Sequence, residues 1–265
     1  MNFEEYLYSI DLSFHSISLY SAQARRFETY LNGRCITSDL LKNYINILVE
    51  GHSPGTVNTY IIAINHYLKW KGCIQFKRKT RKIQKKQSLD NVLSKEEYQT
   101  LLSYAKESGR EKYYLIMRVL AGTGMRVSEL LSMTVEMIRD NQIIVYNKSK
   151  YREIYITEPL KIELLKYCEV RNITTGYIFK GRKREAMNRH SIWEMLKKLA
   201  DMTGIPKSHV YPHSFRHLFG KTYMMKYGNI AELASLLGHS SLEVTRIYTL
   251  TSAAEKRKEI EQLGL

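Results

Sequence analysis

Apolar residues recur at helical spacing along most of the chain. Tyr20, Ala24, Phe27 and Leu31 share one face, and Val57, Tyr60, Ile61, Ile64, Tyr67 and Leu68 form a longer stripe. Ser53 is positioned to cap the second helix, with Pro54 at its first position, where the missing N–H costs nothing. The two stripes predict a small helical bundle within residues 1–76, and their simplest use is as its core. A second helical region begins at about Leu89. Ser94 and Glu97 match a capping box, and Tyr98, Leu101, Leu102 and Ala105 follow on one face. A helix over 111–120 ends at the Gly122/Gly124 turn, and another begins near Arg126. Over 142–157 the period changes. Ile143-Ile144-Val145-Tyr146, a polar stretch and Ile154-Tyr155-Ile156 predict a β-hairpin or small sheet, with no glycine to set the turn type. Helical spacing resumes over 159–170, 190–203, 213–227, 230–237 and 241–250. The tail over 252–263, rich in Ala, Glu and Lys, predicts one more short helix. The fold class is therefore mainly α: an N-terminal small helical bundle plus a C-terminal mixed, mostly helical domain with a small antiparallel β-sheet.

Charge divides the chain between these regions. Residues 77–86 hold seven basic side chains, Lys77, Arg78, Lys79, Arg81, Lys82, Lys85 and Lys86, and no acid. Lying between two periodic regions, the run reads as a linker over 77–88, normally a solvated, mobile segment. The whole chain of 265 residues carries 41 Lys and Arg against 26 Asp and Glu, a net charge of +15. That excess calls for a polyanionic partner, nucleic acid first and an anionic membrane second. The membrane reading is the weaker, because 77–86 has only Ile83 as an apolar residue and no run approaches spanning length. Cys35, Cys73 and Cys168 are odd in number and lack metal-ligand spacing, so neither a disulfide framework nor a metal site is implied. The acidic start, Met1-Asn2-Phe3-Glu4-Glu5, does not match a signal peptide, and a cytoplasmic protein is expected.

Five polar residues in the second half carry the chemistry. Arg126 follows Gly122-Thr123-Gly124-Met125, and His213 and Arg216 lie in Pro212-His213-Ser214-Phe215-Arg216-His217. His239 follows Leu236-Leu237-Gly238, and Tyr248 comes nine positions later. Arginines clamp phosphate, histidines move protons and a tyrosine can attack. His213 and Arg216 are one helical turn apart, so both side chains share a face. Arg126, near a helix start, has a natural anion site beside it. Each residue alone has an ordinary reading: Tyr248 as core, Glu129 as a first-turn helix acid. The inference rests on the set.

Together these segments resemble the tyrosine recombinases of the phage integrase and Xer type, over nearly the whole chain. The matching motifs are Gly-Met-Arg126-Val-Ser-Glu-Leu, His213-x-x-Arg216, Leu-Leu-Gly-His239 and the following Tyr248. The resemblance implies a DNA-grasping domain over 1–76, the linker, and a catalytic domain over 89–265. It implies that Tyr248 attacks a DNA phosphodiester to give a 3′-phosphotyrosyl link, with no cofactor, ATP or metal. Arg126 and Arg216 would stabilise the phosphorane charge, His213 would assist proton transfer, and His239 would bond the scissile phosphate. A hairpin lysine would protonate the leaving 5′-oxygen. Lys148 aligns with the family's first lysine and Lys150 stays open, since the family's glycines are missing at Asn147-Lys148-Ser149. Glu129 matches a supporting acid. The linker cations would contact double-stranded DNA. A chain that is monomeric free in solution would form a homotetramer on synapsed DNA, with the 252–263 helix exchanged between neighbours. A type IB topoisomerase, or a non-catalytic DNA-binding regulator with the same fold, would share most of these motifs.

Overall fold

Side-chain caps set where the first helices begin. Asn2 caps α1 (Phe3–Ser9), Ser13 caps α2 (Phe14–Leu31), Thr37 caps α3 (Ser38–Gly51) and Ser53 caps α4 (Pro54–Trp70). Each cap oxygen accepts a first-turn N–H that has no partner within the helix. The computed structural model describes residues 1–83, 91–140, 143–147, 150–181, 187–239, 241–249 and 261–262. Lys85, Lys86, Lys148 and the helix predicted over 252–263, apart from 261–262, lie outside those residues. The chain divides into two units, Met1–Lys85 and Lys86–Leu265.

In the first unit the predicted stripes point inward. Ala24, Phe27 and Leu31 of α2 meet Val57, Ile61, Ile64, Tyr67 and Leu68 of α4, with Leu41, Tyr44 and Leu48 of α3 closing the core. Phe27 is fully buried, its ring 5.0 Å from that of Tyr44. The Tyr67 ring is buried, and its hydroxyl donates to Glu28 Oε1 at 2.7 Å. Residues 77–83 depart from the expected mobile linker. Asn65 and Asn58 of α4 each hydrogen-bond both backbone groups of one linker residue, Arg78 and Arg81. Arg78 also donates to Ser38 through Nη2. The charges repel, but the backbone beneath them is held.

The second unit is built on α6 (Glu111–Thr123), whose Leu115, Ile116, Met117, Val119 and Leu120 are all buried. Around it pack α5 (Lys95–Glu107), which has the expected Ser94–Glu97 capping box, α7 (Val127–Ser132) and α9 (Glu158–Val170). The short α8 (Val135–Arg139) leads into the sheet. Three further helices follow in chain order: α10 (Arg189–Thr203), α11 (Pro212–Tyr227) and α12 (Ile230–Leu237). Among the described residues there is one sheet, the antiparallel pair β1 (Ile143–Asn147) and β2 (Lys150–Ile154).

Two predicted elements shift. The second strand lies earlier than Ile154-Tyr155-Ile156: the polar stretch itself forms β2, because Arg152 turns inward and is buried. The helix expected over 241–250 is only α13 (Leu242–Thr245), followed by a 3-10 turn over Arg246–Thr249 that carries Tyr248. Among the described residues no helix is long and apolar enough to cross a membrane. The mainly α fold class with one small antiparallel sheet is as predicted.

Because Phe27 sits where α2, α3 and α4 converge, Phe27→Ala is expected to lower the stability of the first unit by about 3–5 kcal/mol. Hydrogen exchange of α2 and α4 amides would measure it, and a loss below about 1 kcal/mol would contradict the assigned core.

Candidate active site

The end of α12 organises the site. Gly238 takes the left-handed conformation at φ 61°, and Gly238 and His239 donate their N–H groups to Ser235 and Ala234. That is a Schellman motif, and it leaves the next carbonyls without helical partners. Three arginines take them in order. Arg152 Nη1 donates to Leu236 O at 2.6 Å, Arg216 Nη2 to Leu237 O at 2.6 Å and Arg126 Nη2 to Gly238 O at 3.3 Å. The negative end of the helix dipole favours cations at this position. A Cβ on residue 238 would come within 2.6 Å of Arg152 Cδ, so glycine is required by contact as well as by φ.

Glu129 supplies the one carboxylate among these groups. It is buried on α7, accepts from the backbone N–H of Arg126 at 2.6 Å, and pairs with Arg126 Nη1 at 2.9 Å and with Arg152 Nη2. The anion site expected at this helix start is therefore filled by the protein's own carboxylate. Glu129 is no ordinary first-turn acid, since it ties α7 to β2. Arg152 does not stand out in the sequence. A lone arginine in a polar stretch looks like a turn residue, and only the alternation of β2 signals its inward direction.

Arg216 is 1% exposed. Besides Leu237 O it donates to Gly124 O at 2.6 Å, and its guanidinium also hydrogen-bonds the Tyr248 side chain, while the buried Nε has no partner. Burial and the charge of Arg126 push its pKa down to about 10, still protonated at neutral pH. His213, one turn earlier on α11, reaches solvent. The predicted pair thus shares a helix but divides its work: Arg216 faces the interior and His213 faces the groove.

Tyr248 is brought to the same place from the 3-10 turn. Its ring lies 5.6 Å from that of His217 and 6.3 Å, nearly parallel, from that of His239. Gly220 makes room for it, since a Cβ there would stand 2.6 Å from the ring. Burial raises the Tyr248 pKa above its usual 10, while the nearby Arg216 guanidinium pulls it down. His217, which sequence spacing does not single out, stands 4.7 Å edge-on from His213. Desolvation holds both His217 and His239 at about 4, helped by His213 and then Arg216 at His217 and by Arg216 and Arg126 at His239, and it lowers His213 as well. His239 Nδ1 bonds Thr245 Oγ1 at 2.8 Å, leaving Nε2 available.

Two clefts open on either side of Arg126. One, about 240 Å³, is lined by Glu129, Arg152, Gly238 and His239, the other, about 550 Å³, by Arg189, Trp193, Lys197 and His213. Tyr248 lines neither. Among the described residues no group of three His, Cys, Asp or Glu side chains is arranged to hold a metal ion. Five of the six predicted catalytic residues, Arg126, His213, Arg216, His239 and Tyr248, thus converge. The sixth, Lys148, is outside the described residues, and the backbone of its rival Lys150 opens β2. Lys77, Lys79, Arg81 and Lys82 are exposed on the first unit, where Arg78 is partly engaged by Ser38.

The model of the phage integrase family matches residues 91–255. Tyrosine recombinase XerA of Thermococcus onnurineus is 32% identical, over 99% of this chain and 95% of that protein. XerA of Thermococcus kodakarensis is 30% identical, over 98% and 95%. Among solved structures, the transposon integrase of Tn1549, in complex with transposon right-end DNA, superposes with a TM-score of 0.74. It is 18% identical and is covered to 98%, with 99% of this chain aligned.

Two outcomes follow from the geometry. Arg152→Met leaves the Glu129 charge buried with one partner fewer and is expected to cost about 3–5 kcal/mol of stability in urea unfolding of the second unit. A cost near zero would show the pair to be dispensable. With folded pKa values of about 4 against an unfolded value near 6.5, His217 and His239 bind protons more readily in the unfolded chain below pH 6.5. Stability from both is intact above pH 6.5 and falls as pH drops towards 4. Ring resonances in NMR should stay neutral at about pH 6, and a midpoint near 6.5 would contradict the site's electrostatics.

Proposed function

Since the chain belongs to the phage integrase family and is a tyrosine site-specific recombinase, we propose that Tyr248 is its nucleophile and that a DNA phosphodiester seats against Arg126 and Arg216. The observation that carries this reading is the meeting of Tyr248, His239 and Arg216 around the end of α12. Three guanidiniums gather there around a single carboxylate, which pairs with only Arg126 and Arg152, and a phosphate would supply the missing negative charge.

In the proposed reaction the Tyr248 oxygen attacks phosphorus. A P–O bond to tyrosine forms and the P–O5′ bond breaks, leaving a 3′-phosphotyrosine and a free 5′-hydroxyl. Arg126 and Arg216 stabilise the charge growing on the non-bridging oxygens. A neutral His213 is able to take up the phenolic proton, which burial otherwise retains on Tyr248. In the tautomer that accepts from Thr245 at Nδ1, His239 carries its proton on Nε2 and offers it to the phosphate. Lys148, or Lys150 in its place, delivers a proton to the departing 5′-oxygen. The reverse attack, by the 5′-hydroxyl of a second strand, reseals the DNA. Because the bond energy is kept in the phosphotyrosine, the chemistry calls for no ATP and no metal. Since Tyr248 is 4% exposed and set back from both clefts, the 246–249 turn must bring it forward onto the phosphate.

The substrate of this reading is a pair of double-stranded DNA sites in the cytoplasm. The chain is monomeric when free and acts as a homotetramer on synapsed DNA, with residues 252–263 as the segment exchanged between neighbours. The exposed cations of 77–82, together with Lys85 and Lys86, add contacts to the DNA backbone.

The test is covalent trapping on a nicked duplex drawn from DNA flanking the gene. Wild type should give an adduct that survives denaturation, and Tyr248→Phe should bind equally well and give none. An adduct retained by the variant would name another nucleophile. Arg126→Ala should slow adduct formation by about 10²–10³-fold, as losing one charge-stabilising donor does. Near-normal rates would remove Arg126 from the chemistry.

A further inference from the structure

The basic linker is fastened to α4 by a pattern with its own geometry. Asn65 Nδ2 donates to Arg78 O at 2.8 Å while its Oδ1 accepts from Arg78 N at 3.0 Å. Asn58 repeats the arrangement with Arg81, at 2.9 Å and 2.7 Å. Each amide satisfies both the N–H and the C=O of one linker residue, as a neighbouring strand would. The two asparagines are seven residues apart, so they lie on nearly one line along α4 and are separated by about 10.5 Å. Their partners are three residues apart, and three residues of extended chain span about 10 Å. The repeats match, and the linker runs back along the helix in register with it.

This fastening spends no cationic group except Arg78. Lys77, Lys79, Arg81 and Lys82 remain exposed. Beside the linker runs a groove lined by His66, Lys69, Lys77 and Lys79, with no carboxylate among its lining residues. Desolvation first, and then the charges of Lys69 and Lys77, lower the pKa of His66 in the same groove. A polyanion meeting a free linker would have to order its backbone as it binds. One meeting this linker finds the backbone already ordered.

We propose that Asn58 and Asn65 form a backbone clamp that holds Lys77, Lys79 and Lys82 as a preformed contact surface for the DNA phosphate backbone. The proposal rests on the DNA reading above and adds to it the residues that shape the contact, neither of which touches DNA itself.

The test compares two variants of the full chain, N58A/N65A and K77A/K79A/K82A, by fluorescence anisotropy on a mixed-sequence duplex at several salt concentrations. Alanine favours helix, so α4 should persist in the first variant, and slow exchange of α2 amides would verify that the unit is folded. Without DNA, N58A/N65A should speed hydrogen exchange at the Arg78 and Arg81 amides. It should weaken DNA binding about tenfold and leave the slope of log affinity against log salt unchanged, since every charge remains. The lysine variant should keep Arg78 and Arg81 protected yet reduce the magnitude of that slope by about two to three, near 0.9 for each phosphate no longer neutralised. Unchanged exchange in the asparagine variant would remove the clamp. Faster exchange with unchanged affinity would show that the clamp does not serve binding. Full affinity and slope in the lysine variant would mean that Lys77, Lys79 and Lys82 do not meet DNA, which overturns the contact surface while leaving the clamp and the chemistry of Tyr248 intact.

Discussion

Three consecutive carbonyl groups at the end of α12 hold three arginines, and the rest of the site depends on that arrangement. Leu236, Leu237 and Gly238 face Arg152, Arg216 and Arg126, which arrive from β2, α11 and the start of α7. Guanidiniums so close to one another repel, and burial costs Arg152 and Arg216 their solvation. Backbone dipoles and the single carboxylate of Glu129 offset part of this. The Schellman geometry at Gly238 exposes the carbonyls, and the same turn delivers His239. One helix end therefore fixes both the cations and a histidine.

The electrostatics have a second effect, on the proton donors and acceptors. A site with three cations suppresses the charging of every histidine near it. His213, His217 and His239 are all lowered, first by desolvation and then by these arginines or by one another. Neutral imidazoles can accept a proton, whereas imidazolium ions cannot. Arranging arginines thus also sets the acid–base state of the groups around Tyr248.

Most of the architecture is legible in the sequence because it rests on short-range rules. The stripes of α2 and α4, the Ser53 and Ser94 caps and the start of α11 at Pro212 follow from spacing and propensity alone. The misplacements share a cause. Spacing sets β2 too late and passes over Arg152 because a buried arginine is polar by type and internal by position. Its burial depends on Glu129 and Leu236, 23 and 84 residues away. Spacing makes α13 too long because it cannot register the turn tightening after Thr245 to bring Tyr248 against Gly220. His217 lies beside a recognised motif, but its ring meets that of Tyr248 across a wide gap in sequence. Charge also misleads: a run of cations describes a surface, not the backbone that carries it.

The match between seven residues of helix and three of extended chain bears on how this linker can diverge. Residues 79 and 80 make none of the clamping hydrogen bonds, so the backbone path leaves Thr80 free to vary and asks of position 79 only the cation that the proposed contact uses. Their number cannot vary. Inserting or deleting one residue between Arg78 and Arg81 would offset the chain by about 3.3 Å against fixed points on α4. One of the two asparagine pairs would then have to open. Drift in lineages of this protein should therefore appear as substitution at 80, and as Lys–Arg exchange at 79, at constant length, with changes of length collected on the far side of Arg81.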